Sequence, residues 1–107
     1  MPDYQEISID DYRQRFADSG EDYMLVDVRM DDEFEDGHLP GAINIPLPEI
    51  QSRLDEIPTD KPIVMVCRTG NRSDVSSMIL SKAGYAEVYN LLGGTKDWAE
   101  RGFPIEE

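Results

Sequence analysis

Short apolar runs separated by amphipathic segments set the pattern of this chain. Residues 24–28 (MLVDV) form a short, mainly apolar run and residues 63–66 an unbroken one, both rich in β-branched side chains. That pattern is typical of strands buried on both faces of a parallel sheet. Residues 42–45 and 87–92 show it more weakly, so the sequence predicts at least four strands.

Apolar residues spaced three and four apart predict helices between these strands. Ser8 is a candidate N-cap for the first helix and Thr95 for the last, while Gly84 has the position of a helix C-cap. A brief helical turn is also expected within residues 31–41, before a loop with two glycines and a proline. The predicted helices and their apolar positions are 9–18 (Ile9, Tyr12, Phe16), 48–57 with the preceding residue (Leu47, Ile50, Leu54, Ile57), 73–83 (Val75, Met78, Ile79, Ala83) and 95–101 (Trp98).

The alternation of strands and helices predicts an α/β domain in three layers. Its centre is a mostly parallel β-sheet, and helices cover both faces. A chain of 107 residues suits one hydrophobic core, so we expect a single domain spanning 1–107.

The charge balance narrows the choice of partners. The chain has 10 basic and 23 acidic residues, a formal charge of -13, which repels nucleic acids and anionic membrane surfaces. No apolar stretch approaches the roughly 20 residues of a membrane span, and no basic, apolar leader is visible, so we expect a cytoplasmic protein. Only three of the basic residues are lysines. A high-salt habitat and a basic partner both remain open as reasons for the acidic surface.

Cys67 is the only cysteine, and it directly follows the strongest predicted strand. In parallel sheets, ligands bind beyond the carboxyl ends of the strands. The loop CRTGNRS, residues 67–73, is short enough for its backbone N–H groups to form an anion-binding nest, and Gly70 permits the curvature. Such nests and nearby cations lower cysteine pKa values from about 8.5 to roughly 3.5–7.5. With Arg68 and Arg72 beside it, Cys67 is predicted to be a thiolate nucleophile.

A buried cysteine after a strand is often only a packing residue. The six residues that follow Cys67 favour the nucleophile instead. CRTGNRS resembles the active-site loop of the rhodaneses, the thiosulfate sulfurtransferases and their single-domain relatives. Residues 26–29 (VDVR), 33–46 (EFEDGHLPGAINIP) and 91–104 (LLGGTKDWAERGFP) resemble three further stretches of that family in the same order.

The resemblance implies a sulfurtransferase that needs no cofactor. Cys67 would take sulfane sulfur from a donor such as thiosulfate, hold it as a persulfide, and pass it to cyanide, a thiol or an acceptor protein. The substrate cradle would be the backbone of the loop that follows, with Ser73 at the start of the next helix and expected to donate to the loop. The cradle residues are Arg68, Thr69, Gly70, Asn71 and Arg72.

Asp27, Arg29 and Glu33 are predicted to form an ion-pair network that braces the loop, an arrangement the resemblance suggests for the first two. His38, the only histidine, is expected to be a hydrogen-bonding loop residue. No ligand cluster indicates a metal site.

Other functions remain open at this point. Phosphatases of this fold have a loop with one more residue than the four between Cys67 and Arg72, which makes phosphatase activity a weaker prediction. Arsenate reduction, a persulfide relay to a specific protein and a non-enzymatic interaction module are further alternatives, and the intact Cys67 loop disfavours the last. We expect a monomer or a weak dimer, because a sheet with an open edge can pair.

Overall fold

The computed structural model describes residues 4–107, and within them five strands form one parallel sheet. The strand order is β1-β5-β4-β2-β3, and every neighbouring pair is parallel. This confirms the predicted fold class. The strands are β1 (Gln5–Ile7), β2 (Met24–Asp27), β3 (Ile43–Asn44), β4 (Ile63–Val66) and β5 (Val88–Leu91).

The first strand was not predicted from the sequence. β1 has only three residues, two of them polar and exposed, so it lacks the apolar run that marks the central strands. Its pairing with β5 places it at one edge of the sheet.

Helices alternate with the strands along the chain, as predicted. The first begins at its Ser8 cap, whose side chain accepts from the Asp11 N–H at 3.1 Å. None of the helices in residues 4–107 is long and apolar enough to cross a membrane. The helices are α1 (Ile9–Tyr12), continuing as a π-helical turn (Arg13–Ala17), α2 (Asp31–Glu35), α3 (Asn71–Lys82) and α4 (Gly94–Glu100), with two 3-10 segments at Leu47–Glu49 and Gln51–Glu56.

Two apolar clusters pack on opposite faces of the sheet. Val64 and Val66 of β4 face the cluster that contains α1 and α4 residues. Ile63, Met65 and Cys67 alternate to the other face, which is covered by α3 and the 3-10 segments. The period of two along β4 therefore directs the Cys67 side chain toward α3.

The predicted helix over residues 48–57 is wrong in type. The segment consists of two 3-10 pieces, and Arg53 within the second has non-helical angles of φ -121° and ψ 21°. The Tyr85 hydroxyl donates to the carbonyls of Leu54 and Ile57 at 3.0 and 2.7 Å, which ties the end of the segment to the domain. Ile50 and Ile57 are nevertheless buried, as their spacing predicted.

The predicted apolar face of α3 is also wrong. The helix begins at Asn71, two residues before the predicted start at Ser73, and Val75 and Met78 are exposed. Its buried face is instead mostly serine. Small side chains let α3 lie close to the sheet, and their hydroxyls are satisfied by backbone carbonyls or polar neighbours. The residues buried along α3 are Ser73, Ser76, Ser77 and Leu80.

Candidate active site

Cys67 lies at the carboxyl end of β4, with only 1% of its surface exposed. The Gly70 N–H donates to its Sγ at 3.0 Å, and the Ser73 Oγ lies 3.3 Å from the same atom. Gly70 has a φ of +110°, in the region that favours glycine, and this turns its N–H inward. The loop therefore forms the predicted concave nest around the sulfur.

The pKa of the Cys67 thiol is lowered by this nest. Burial is the largest single effect and raises the pKa. The hydrogen bonds from the Ser73 hydroxyl and from the N–H groups of Ser73, Gly70 and Thr69 together outweigh it, so the net pKa is lowered. The sequence assigned this effect partly to Arg68 and Arg72. The principal cause is instead the set of fixed donors, which is the geometry that stabilises a thiolate.

Arg72 turns its side chain to Glu33. The two guanidinium nitrogens contact the two carboxylate oxygens at 2.7 and 3.0 Å. The hydrogen bond from Arg72 is the main cause that lowers the Glu33 pKa to about 2. Glu33 also accepts from the Met30 N–H, so it joins the start of α2 to the loop.

Asp27 and Arg29 form a separate ion pair. Both are buried, and Arg29 Nη2 contacts Asp27 Oδ2 at 2.8 Å and donates to the Gly37 carbonyl at 2.7 Å. The predicted single network of Asp27, Arg29 and Glu33 is therefore two ion pairs. Glu33 pairs with Arg72 instead, because the first turn of α2 points Glu33 toward α3.

Arg68, Thr69 and Asn71 are exposed at the mouth of the loop. Within residues 4–107, Arg68 and Lys82 are the basic residues that make no ion pair, and the other eight are paired. Arg68 also lines a surface cavity of about 470 Å³. Its charge is thus not neutralised by an acidic side chain of residues 4–107.

The outer side of the loop is bonded to the start of α4. The N–H groups of Thr95 and Lys96 donate to the carbonyls of Cys67 and Arg68 at 2.9 and 3.0 Å. The prediction that Thr95 caps this helix is wrong, because the N-cap is Gly93. The loop carbonyls therefore point away from the sulfur while the loop N–H groups point toward it.

Asn90 is a site residue that the sequence did not reveal. It is 2% exposed in β5, accepts from Ser73 Oγ at 2.5 Å and donates from Nδ2 to the Gly70 carbonyl at 3.2 Å. Its sequence signal was a polar amide inside the otherwise apolar run 88–92.

His38 lies outside this group of residues. Its Nδ1 is 2.8 Å from the Phe34 carbonyl, and its ring stacks on the Phe34 ring at 3.7 Å. Among the residues that the structure describes, no group of three or more histidine, cysteine or acidic side chains could hold a metal ion.

The chain belongs to the rhodanese-like domain family, whose family model matches residues 8–101. A sulfurtransferase of Allochromatium vinosum is 42% identical over 100 residues, covering 94% of this chain and 92% of that protein. The Bacillus subtilis protein YrkF, whose name gives it a proposed role as a sulfur carrier, is 36% identical over 93 residues, covering 87% of this chain and 50% of that protein. A rhodanese-related protein of Thermoplasma volcanium has the same fold, with a TM-score of 0.84, 30% identity and coverage of 96% and 98% of the two chains.

Proposed function

We propose that this protein is a sulfurtransferase that accepts sulfane sulfur from a small anionic donor, of which thiosulfate is the simplest, onto Cys67. The observation that carries the proposal is the placement of the Cys67 sulfur among hydrogen-bond donors that lower its pKa in spite of burial. A thiolate held in this way is both a nucleophile and the inner end of an anion site.

In the first step the Cys67 thiolate attacks the outer sulfur of thiosulfate. A new S–S bond forms, the bond between the two thiosulfate sulfurs breaks, and sulfite leaves with the bonding electron pair. The negative charge of the resulting persulfide lies on the outer sulfur, about 2 Å beyond Cys67 Sγ. The inward N–H groups of the loop are suited to stabilise that charge.

In the second step a thiophilic acceptor attacks the outer sulfur. The S–S bond to Cys67 breaks, the acceptor keeps the transferred sulfur, and the thiolate is restored. With cyanide as acceptor the product is thiocyanate. Cys67 itself is only 1% exposed, so the acceptor is expected to reach the outer sulfur of the persulfide and not Cys67 Sγ.

Arg68 is proposed to attract the anionic donor. Arg68 directly follows Cys67 in the chain, is exposed, and makes no ion pair with the described residues, whereas Arg72 is held by Glu33. In a chain with a formal charge of -13, a local cation at the loop mouth offsets the repulsion of an approaching anion.

The test is intact-protein mass spectrometry after incubation with thiosulfate, followed by addition of cyanide. Wild type is expected to gain one sulfur atom that cyanide removes as thiocyanate, and Cys67→Ser is expected to gain none because a hydroxyl is a poor nucleophile at neutral pH. Circular dichroism of Cys67→Ser serves as the fold control. Equal loading of the two proteins, or a wild type that stays unmodified with thiosulfate and with organic thiosulfonates, would refute the proposal.

A further inference from the structure

Asn90 contacts Ser73 and Gly70, the two residues that also approach the Cys67 sulfur. Its Oδ1 accepts from Ser73 Oγ, and its Nδ2 donates to the carbonyl of Gly70. Ser73 Oγ and the Gly70 N–H each lie within hydrogen-bond reach of Cys67 Sγ. The orientation of the amide follows from these partners, because a carbonyl requires a donor and a hydroxyl also requires an acceptor to hold it.

The other serines of α3 show what a hydroxyl in this helix does without such a partner. Ser76 and Ser77 donate to the Ser73 carbonyl, three and four residues back, at 2.9 and 2.7 Å. The carbonyl three residues back from Ser73 is that of Gly70. It already accepts from the Asp74 N–H and from Asn90 Nδ2, both at 3.2 Å.

We infer that Asn90 is a positioning residue: it occupies the Gly70 carbonyl, offers the Ser73 hydroxyl an alternative acceptor, and so keeps that hydroxyl against the Cys67 sulfur. This inference rests on the proposed function of Cys67 as a nucleophile. Asn90 does not touch the reacting sulfur and acts through Ser73 and Gly70.

The Ser73 hydroxyl has a hydrogen-bond acceptor whether Cys67 is a thiol or a thiolate. A hydroxyl carries a single proton, so Ser73 donates it either to Asn90 or to sulfur. When sulfur is a thiolate, the Ser73 hydroxyl donates its hydrogen bond to sulfur, because hydrogen bonds to an ionised acceptor are stronger. When sulfur is protonated, or when the charge has moved out onto a persulfide, Asn90 Oδ1 accepts the hydrogen bond, and the fully buried Ser73 hydroxyl keeps a partner.

The experiment measures the pH midpoint of Cys67 alkylation by iodoacetamide in the whole protein. Asn90→Ala is expected to raise the midpoint by about one unit, a tenfold loss of thiolate below it, because Ser73 and Gly70 are no longer held in position against the sulfur. Val88→Ala is the matched control, since Val88 is buried on the same face of β5 and belongs to the apolar cluster. It is expected to lower thermal stability without moving the midpoint.

A second comparison separates positioning from general loosening of the loop. In a Ser73→Ala background, Asn90→Ala is expected to shift the midpoint by much less than it does in wild type, because the two residues act in one chain of contacts. A full additional shift there, or a shift in Val88→Ala equal to that in Asn90→Ala, would overturn the inference. If Asn90→Ala does not fold, Asn90→Thr keeps a strand-forming polar residue that is too short to hold both partners.

Alkylation requires no sulfur donor, so this result is independent of whether thiosulfate loads the protein. A shifted midpoint in a protein that takes up no sulfur would retain the role of Asn90 and refute only the proposed reaction.

Discussion

Gly94 offers the sharpest test of how the loop is held. A Cβ at this position would lie 2.4 Å from the Cys67 carbonyl oxygen and 2.5 Å from that of Arg68, distances that real Cβ contacts do not reach. Both neighbours are backbone atoms, so no side-chain rotation relieves the overlap. Gly94→Ala must therefore displace either the loop or the start of α4.

The expected loss of stability has two parts. Gly94 has a φ of +58°, and an alanine in that left-handed region costs about 1–2 kcal/mol. Forcing atoms into a filled space costs about 1–3 kcal/mol more. The free energy of unfolding should thus fall by about 2–5 kcal/mol. Gly102→Ala is the matched control, because Gly102 has a φ of +80° with nothing within 4 Å of its Cβ position, so only the first cost applies.

Urea denaturation of both variants measures these costs, and the pH midpoint of Cys67 alkylation reports on the loop. Gly94→Ala should lose more stability than Gly102→Ala and should raise the midpoint, since the N–H groups around the sulfur move with the loop. Equal losses in the two variants, together with an unchanged midpoint, would show that the contact between α4 and the loop is not what fixes the site.

Two further predictions concern the charged residues. Arg68→Ala should raise the KM for thiosulfate about tenfold through loss of one charge-assisted contact. Lys82→Ala, which removes the other cation that is unpaired within residues 4–107, should leave KM unchanged, and equal effects would show that only net charge matters. The lowered pKa of Glu33 implies that its ionised form stabilises the fold at pH values above its ordinary 4.5, and that this contribution is lost as pH falls through about 2. The difference in urea midpoint between wild type and Glu33→Gln should accordingly be present at neutral pH and disappear near pH 2, and a difference that persists there would contradict the pairing with Arg72.

The sequence predicted the sheet class and the position of Cys67 at the end of a central strand because both depend on local pattern. The apolar run at 63–66 marks a central strand wherever it occurs, and Cys67 must follow it at the carboxyl edge. The curvature of the loop was likewise predictable from Gly70. The loop bends there as expected, with a φ of +110°.

The errors arose where contacts between distant segments override local pattern. Val75 and Met78 have helical spacing, yet α3 turns its serines inward, and hydrophobicity alone does not show that small side chains are needed against the sheet. The pairing of Arg72 with Glu33 joins residues 39 positions apart. Asn90 reaches its partners only after β5 has aligned beside β4, so no spacing rule identifies it.

The two hydrogen bonds from Thr95 and Lys96 to the loop carbonyls also bear on how the site comes into being during synthesis. The cysteine leaves the ribosome well before residues 94–96, and so does Ser73. A nascent chain that ends before α4 therefore carries its thiol without the groups that orient the loop. The loop that surrounds Cys67 therefore gains these two hydrogen bonds only when the last helix docks.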